Sequence, residues 1–327
     1  FGSRKCRPKN GVKSLSSGRR FRPGGSCANC RTAAMDAELF RRFSPEEYYN
    51  RFLADGVRPD GRAPHERRRA QLQHAAISAA YGSASIRLGQ SAAVAGVRAE
   101  VAEAVPELPA CGSVVATVEL PSLCSSAFRE KHRTQGIATF LSKALSDVLN
   151  SSHVLDALQF NIREGEIFWV LHVHVVCLNY DGNAFDLCLL AALAALEDTA
   201  LPALVEDGSA TVAGSQPRLV EAPLDMSSGA PLAEARRVVF VSRPLPVSFA
   251  QLPGEQWVLD PCAAEEGLGA SVSLCLVGGR WLVYHQGGGA DADRFLSELM
   301  PVARSSVPPL TELLDGAAAG RPEVGAM

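Results

Sequence analysis

The chain has 327 residues, of which 47% are hydrophobic, and a formal net charge of −3 at pH 7. This length and apolar content allow one large domain or two ordinary domains with a substantial core. The longest apolar run, 184–196, is interrupted by Asp186 and is shorter than the roughly eighteen residues that a membrane-spanning helix needs. The sequence therefore predicts no membrane-spanning segment and no membrane partner.

Residues 1–34 differ in composition from the rest, since they hold nine Lys and Arg residues and no Asp or Glu. Such a segment cannot bury a core, so we predict a disordered basic tail. It is a nucleic-acid arm, a targeting segment, or translated sequence upstream of a start at Met35, and we favour the last. The rest of the chain, here called the body, has 23 basic and 35 acidic residues, so its net charge is −12.

The nine cysteines have no regular spacing. An odd number without a pattern is typical of free thiols in a reducing compartment. Cys27 and Cys30 form half of a zinc-ligand pattern, but no second pair lies nearby. We therefore expect a fortuitous pair, no metal site and no cofactor.

The first half of the body is predicted over 35–202. Its first helix has a capping box at Ser44, with proline at the first helical position. Apolar residues at i, i+3, i+4 and i+7 predict a longer amphipathic helix over 137–149. The other predicted elements are a β-meander over 71–80, 83–88 and 91–101, loops over 106–130, a strand over 167–178 and a helix over 184–198.

A connection over 203–235, rich in Pro, Gly, Ser and Ala, leads to a second half over 236–316. A frayed tail is expected over 317–327. The predicted elements of this half are strands over 237–242, 246–251, 256–260, 271–277 and 281–285, the last two joined across Gly278-Gly279, and a helix over about 290–304. Strands precede helices in both halves, which predicts an α+β fold of two related β-α halves.

The turn between the 167–178 strand and the next helix has the form of an anion site. A glycine-containing turn that opens a helix can hold a phosphate through backbone N–H groups and the helix dipole. Here, however, Gly182 and Asn183 are followed by Ala184 and Phe185, which have no basic or hydroxyl group. The backbone scaffold for an anion is present without the side chains that would bind it.

Four motifs between about residues 40 and 305 occur in a characteristic order. They are Arg58-Pro59-Asp60-Gly61-Arg62, Leu120-Pro121-Ser122-Leu123-Cys124-Ser125-Ser126, Asn179-Tyr180-Asp181-Gly182-Asn183, and Val258-Leu259-Asp260-Pro261 followed by Glu265-Glu266. Together they resemble the RNase PH-like, non-catalytic ring subunits of the eukaryotic RNA exosome. The resemblance implies an RNase PH-type fold of the ribosomal protein S5 domain 2-like kind.

The same resemblance implies an assembly and a role. It implies that the chain joins other RNase PH-like exosome subunits in a six-membered ring. In that family the ring carries S1/KH cap subunits and threads RNA to docked hydrolytic nucleases. The resemblance implies 3′-to-5′ RNA processing and decay, including rRNA maturation and mRNA turnover, in nucleus, nucleolus and cytoplasm. Two alternatives are an active phosphate-dependent 3′-to-5′ exoribonuclease, and a free-standing RNA-binding domain that uses residues 1–34.

By resemblance, the catalytic groups are missing. Active members carry Gly-Gly-Thr-Arg where this chain has Gly182, Asn183, Ala184 and Phe185, a degenerate phosphate site. They also carry an aspartate at a position that falls here near Ser271 or Val272. We expect no catalytic residue, and we expect Glu265 and Glu266 to be a solvated pair in a loop.

Family members place channel-facing arginines where this chain has Arg129, Lys131, His132 and Arg133. These residues are candidates for sequence-independent RNA contact, and a solvated helix start is an equally weighted alternative. The run Arg67-Arg68-Arg69 is expected to be a solvated strand edge. His172 and His174 lie on one face of a strand, and we expect a half-buried or interface-facing strand there rather than a metal pair.

Overall fold

The computed structural model describes residues 39–103, 112–163, 166–202, 204–206, 219–221, 236–253, 256–287 and 292–319. The predicted basic tail, the Cys27–Cys30 pair and most of the 203–235 connection lie outside these residues. The chain divides into two compact units, 1–45 and 46–327. In the first unit, residues 39–43 are helical, and the Ser44 N–H donates to the Phe40 carbonyl at 2.9 Å.

A six-stranded sheet is the first layer of the second unit. Its strands are β1 (Ala70–His74), β2 (Gly82–Leu88), β3 (Ser91–Glu103), β4 (Ser113–Glu119), β5 (Asn161–Arg163) and β6 (Ile167–Asn179). They lie in the order β1-β2-β3-β6-β4, and β5 pairs with β6. All pairs are antiparallel except β4 with β6. The predicted meander is confirmed.

One strand prediction in this sheet was wrong in extent, and one strand was not predicted. The strand predicted over 71–80 ends at His74, because Ala75 has φ +55° and its N–H turns to the Ser83 carbonyl, 2.8 Å away. The stretch 106–130, predicted as loops, contains β4. Its side chains alternate between buried and more exposed positions, as in a half-buried strand.

The helices of this half are α1 (Pro45–Ala54), α2 (Lys131–Leu149) and α3 (Ala184–Asp198). Helices α2 and α3 pack against the first sheet, whereas Tyr49 and Leu53 of α1 pack with Ala250, Leu252 and Val258 of the second half. The helix α2 begins six residues before the predicted start and lies along β4. Its Ser142 and Ser146 hydroxyls and the Asn150 amide oxygen accept hydrogen bonds from β4 backbone N–H groups at 2.8–3.0 Å. These bonds satisfy the open edge of the sheet.

The helix α3 is buried along almost its whole length. It contacts β2, β3 and β6 on one side and β11 (Leu245–Leu252), a strand of the second sheet, on the other. A helix that is apolar all round belongs in a core, so α3 lies between the two sheets. None of the helices in the described residues is long and apolar enough to span a membrane.

The second half is built on a four-stranded antiparallel sheet in the order β12-β11-β13-β14. The elements after α3 are β7 (Ala200–Leu201), β8 (Leu204–Glu206), β9 (Leu219–Glu221), β10 (Arg236–Arg237), β11 (Leu245–Leu252), β12 (Gln256–Leu259), α4 (Ala263–Glu266), β13 (Ser271–Val277), β14 (Arg280–Gly287) and α5 (Ala292–Ala319). The predicted hairpin across Gly278-Gly279 is confirmed, with positive φ at both glycines. The strand predicted over 237–242 is instead the short β10 and one bridge from Phe240 to Leu155.

The last helix runs well beyond its predicted end near 304. It continues through Pro301, Pro308 and Pro309 to Ala319, so 317–319 are helical rather than frayed. Proline removes a backbone donor and destabilises a helix interior. The cost is offset by burial, because α5 inserts apolar side chains into two separate cores. These buried residues are Leu299 and Ala303 in one core and Leu310 and Leu314 in the other.

Candidate functional site

The turn that precedes α3 is shaped as the sequence predicts. Gly182 has φ +83° and Asn183 has φ +59°. A Cβ atom on Gly182 would lie 2.5 Å from the Ala263 nitrogen and 2.6 Å from the Pro261 carbonyl oxygen. Only glycine fits both the conformation and the space. The Asn183 side chain then caps α3, since its oxygen accepts from the Asp186 N–H at 3.4 Å.

A carboxylate of the chain itself occupies the anion position at this helix start. The Asn183 N–H donates to Glu266 Oε1 at 2.6 Å. The Tyr180 hydroxyl donates to the other oxygen of the same carboxylate. Burial raises the pKa of Glu266, although the Tyr180 and Asn183 hydrogen bonds oppose the rise. Burial and the neighbouring Glu266 charge also raise the pKa of Tyr180. The N-terminal end of α3 is therefore closed by Glu266.

A second carboxylate, Asp260, is wholly buried beside the turn. It accepts from the Asn183 side-chain amide at 2.7 Å and from Arg68 Nε and Nη2 at 3.0 and 2.8 Å. Burial alone would raise the pKa of Asp260, but the Arg68 hydrogen bonds and charge, with help from Arg67 and Asn183, hold it well below its usual range. Asp260 therefore serves as an ionised anchor for the turn.

The basic run 67–69 was predicted as a solvated strand edge, and this is wrong for two of its residues. Arg68 is buried on Asp260. Arg67 Nη1 lies 3.0 Å from an oxygen of Asp186, which is fully buried. Only Arg69 of the three is exposed. The segment folds against the α3 turn and the second half, so its charges pair inside the protein.

The expectation of a solvated Glu265–Glu266 pair was also wrong. Glu265 is 1% exposed and pairs with Arg58, which is 0% exposed. Arg58 Nε donates to Glu265 Oε1 at 3.0 Å, and Arg58 Nη1 donates to the Leu259 carbonyl at 2.8 Å. The Arg58 side chain therefore joins the start of the body to the β12–α4 segment. In the sequence these residues are 207 positions apart, and nothing local marks them as partners.

A cavity of about 590 Å³ opens beside the α3 turn. Asn183, Ala184 and Phe185 of the degenerate phosphate site line one side of it, and Ser271 lines another. Ser271 is partly exposed, whereas Val272 is buried, so the expected aspartate position presents at most a serine hydroxyl to the cavity. Arg133 and Glu266 are its charged lining residues.

The basic cluster Arg129, Lys131, His132 and Arg133 is exposed at the start of α2. The N-cap residue Glu130 makes no side-chain cap, and none of the four basic residues forms an ion pair within the described ranges. Phe128, directly before them, is buried, and its ring centroid lies 4.7 Å from that of Tyr180. The cluster is thus anchored next to the α3 turn, and Arg133 reaches the cavity.

His172 and His174 lie on the face of β6 opposite the core, half-buried and exposed respectively. His172 Nε2 is 3.5 Å from Glu100 Oε2. In the described part of the chain, no group of three or more His, Cys, Asp or Glu side chains is placed to hold a metal ion. The expectation of a half-exposed strand face agrees with this geometry.

Comparison with known proteins decides the family. A family model described as the 3′ exoribonuclease family, domain 1, matches residues 66–202. Exosome complex component Rrp42 of Methanothermobacter thermautotrophicus is 31% identical over 262 residues, which are 79% of this chain and 89% of that protein. The chain belongs to this RNase PH family. Within the family, exosome complex component rrp43 of Schizosaccharomyces pombe is 38% identical over 169 residues, 52% of this chain and 62% of that protein.

Solved structures of other proteins share the fold. A chain of the Archaeoglobus fulgidus exosome with RNA bound to the active site gives a TM-score of 0.66 at 24% identity, covering 85% of this chain and 98% of that one. Rice (Oryza sativa) Rrp46 gives 0.53 at 14% identity, covering 80% and 100%. The predicted α+β, RNase PH-type fold is confirmed, and so is the resemblance based on the four motifs.

Proposed function

We propose that this chain is a non-catalytic structural subunit of an RNA exosome core ring, of the forty-three type, that supports 3′-to-5′ RNA processing and decay. The assignment to an exosome is supported by the relatives from Schizosaccharomyces pombe and Methanothermobacter thermautotrophicus, which are both named exosome complex components. It is supported also by the fold, which chains of exosome cores share.

The observation that carries the non-catalytic assignment is the bond from the Asn183 N–H to Glu266 Oε1. Phosphorolysis needs a phosphate held by charge-assisted donors. Here one backbone donor at the helix start, the Asn183 N–H, is already used by a carboxylate, and a second anion beside it would be repelled. Ala184 and Phe185 offer no hydroxyl or cation that could replace the missing donor.

The outer face of the first sheet supports assembly into a ring. Apolar side chains on this face are at least partly exposed on β3, β4 and β6; they are Val94, Val115, Phe168, Val170, Val176 and Leu178. Subunit interfaces have an apolar centre and bury on the order of 1,000 Å² or more. The occupant of this face in the proposal is a second RNase PH-like subunit. The S1/KH cap subunits, the hydrolytic nucleases and a location in nucleus, nucleolus and cytoplasm belong to the same proposal.

RNA contact is assigned to the cluster Arg129, Lys131, His132 and Arg133. The four side chains are exposed on one end of α2, so they can reach a phosphate backbone without unfolding any element. Contacts of this kind are independent of sequence and weaken with salt. A body with a net charge of −12 limits RNA binding to such local patches.

Co-expression with the other ring subunits tests the assignment. The expected result is stoichiometric incorporation of this chain into a six-membered ring that can be isolated by size exclusion. A chain that stays outside rings assembled from the remaining subunits would contradict it. Phosphate-dependent release of nucleoside diphosphates by this chain alone would favour the active exoribonuclease instead.

A further inference from the structure

Ser44 lies in a basic motif that the ring role does not use. The motif is Arg41-Arg42-Phe43-Ser44-Pro45. Protein kinases select their substrates by the charge pattern around the hydroxyl residue, and arginines just before a serine are complementary to an acidic substrate groove. Ser44 is also the single serine or threonine in the chain that proline follows directly. The motif therefore combines two features by which serine kinases select a substrate.

The side chains of this motif are accessible. Arg41 and Arg42 are exposed, Phe43 is 83% exposed, and Ser44 and Pro45 are partly exposed. All five residues belong to the first compact unit, 1–45. None of the five side chains is buried, so a kinase can contact them without opening a core.

The backbone at Ser44 separates two helical segments. Residues 39–43 are helical, Ser44 is not, and α1 begins at Pro45. The Ser44 N–H donates to the Phe40 carbonyl at 2.9 Å. A helix of five residues is far below the length of about 12–15 at which isolated helices become marginally stable. Residues 39–43 can therefore unwind into a substrate groove at low cost.

Ser297 shows why a preceding arginine is not sufficient. Arg294 lies three residues before it, as Arg41 lies three residues before Ser44. Ser297 is exposed, but it lies inside the 28-residue helix α5, which inserts Leu299 into a core. Its next residue is Glu298 rather than proline. Extending the backbone there would remove buried contacts, so Ser44 is the better substrate of the two.

A phosphate on Ser44 is compatible with the folded chain. Phosphoserine carries a charge of about −1.5 to −2, and the N-terminal end of a helix favours negative charge. Arg41 and Arg42 precede the site in the sequence, and guanidinium groups bind phosphate oxygens strongly. Glu46 and Glu47 in the first turn of α1 oppose this attraction. The two arginines and the helix start offset them, so we expect α1 to stay folded.

We propose that Ser44 is a phosphorylation site for a proline-directed serine/threonine kinase with an acidic substrate groove. The Ser44 Oγ attacks the γ-phosphorus of ATP, the bond from this phosphorus to the ADP oxygen breaks, and the hydroxyl proton passes to the base of the kinase. Pro45 selects the class of kinase, and the two arginines strengthen the contact with its groove. The site does not depend on the ring role, so phosphorylation and ring assembly can fail separately.

The test uses the full-length chain, ATP and two purified kinases. One is a kinase of the dual-specificity tyrosine-regulated class, which takes proline after the serine and arginine before it. The other is cAMP-dependent protein kinase, which requires only the arginines. Peptide mass spectrometry locates the phosphate, and melting temperatures show that each variant is folded.

Four variants isolate the features of the motif. Ser44→Asn removes the hydroxyl but keeps a favourable N-cap residue. Pro45→Ala removes the proline and keeps a good helix former. A double variant, Arg41→Ala with Arg42→Ala, removes the charges. The matched control is Ser297→Ala, which removes the hydroxyl of the other serine that has an arginine three residues before it.

We expect the proline-directed kinase to phosphorylate Ser44 in the wild-type chain and in Ser297→Ala, and to leave Ser44→Asn unmodified. Pro45→Ala and the double arginine variant should each react at least about tenfold more slowly, since the loss of one selected contact lowers kcat/KM by roughly 10–200-fold. The phosphorylated chain should melt no lower than the unmodified chain.

Three results would overturn the proposal. The first is an unmodified Ser44 in the full-length chain while a peptide of residues 39–50 is phosphorylated, because the fold would then hide the site. The second is an equal rate for Pro45→Ala and the wild type, or faster transfer by the cAMP-dependent kinase, because proline would then not select the enzyme. The third is phosphate at Ser297 rather than at Ser44.

Discussion

The Asn183 N–H donates to Glu266 Oε1 at 2.6 Å, so one carboxylate of the chain stands at the N-terminal end of the central helix α3. Helix starts favour anions because of their unpaired N–H groups and the helix dipole. In this chain the anion is supplied from α4 in the second half. The hydrogen bond therefore places a carboxylate at this helix start and links the two halves.

The raised pKa of Glu266, which burial causes, predicts how the stability of the fold depends on pH. A carboxyl group whose pKa is higher in the folded state contributes stability that is complete below the ordinary value of 4.5 and is lost as pH rises through the raised value. The variant Glu266→Gln resembles the protonated form. We expect its free energy of unfolding to fall less than that of the wild type as pH rises from 4.5 to 8, measured by urea denaturation.

The control for that measurement is Glu47→Gln, since Glu47 is exposed on α1. Its curve should follow that of the wild type. Parallel curves for Glu266→Gln and the wild type would show that the Glu266 carboxyl is not perturbed by folding.

Both side chains of the Arg58–Glu265 ion pair are buried. A double-mutant cycle should therefore measure their interaction energy. Removing one partner leaves a buried charge unpaired, at a cost of about 3–5 kcal/mol. We therefore expect Arg58→Leu and Glu265→Leu each to lower the free energy of unfolding by about that amount, whereas the double variant loses much less than the sum. Additive losses in chemical denaturation would mean that the two side chains do not interact.

Gly182 should tolerate no side chain. Its φ of +83° and the 2.5 Å approach of a Cβ to the Ala263 nitrogen predict that Gly182→Ala lowers stability, by about 2 kcal/mol from backbone strain alone. The matched control Gly136→Ala lies in α2 with open space around its Cβ. It should raise stability by about 0.5–1 kcal/mol. Thermal denaturation of both variants checks the sign, and a neutral Gly182→Ala would refute the geometry of the turn.

The basic cluster should govern the salt dependence of RNA binding. Replacing Arg129, Lys131 and Arg133 with alanine should weaken binding to single-stranded RNA regardless of sequence, and should reduce the slope of log K against log salt by about 0.7 for each phosphate that the protein no longer neutralises. Fluorescence anisotropy at several salt concentrations measures the slope. The exposed arginines Arg69, Arg280 and Arg304, replaced together, are the control, and an equal weakening there would deny the cluster a specific role.

Local sequence patterns predict the parts of this fold that depend on interactions between neighbouring residues. The Gly182 turn, the Gly278-Gly279 hairpin and the apolar α3 each follow from a few neighbouring residues. The pairs Arg58–Glu265 and Arg68–Asp260 could not be predicted, because each joins positions about 200 residues apart. A single sequence does not show which distant charged residues pair inside the protein. The local pattern of Arg67-Arg68-Arg69 therefore predicts a solvated strand edge.

The continuation of α5 beyond residue 304 shows the same limit in another form. Prolines at 301, 308 and 309 argue against a helix locally, and tertiary burial of Leu310 and Leu314 outweighs them. The candidate site also combines features that local sequence predicts with features that depend on tertiary packing. The lack of a hydroxyl or a cation after Asn183 is visible in the sequence at Ala184 and Phe185, but the hydrogen bond from the Asn183 N–H to Glu266 depends on how the halves pack.

The most direct test of the central claim is phosphorolysis by the purified chain. It is incubated with inorganic phosphate and poly(A), and nucleoside diphosphates are measured by chromatography. An active RNase PH family member serves as the positive control. We expect no phosphate-dependent release of nucleoside diphosphates above background. Release that requires phosphate and scales with the amount of this chain would contradict it.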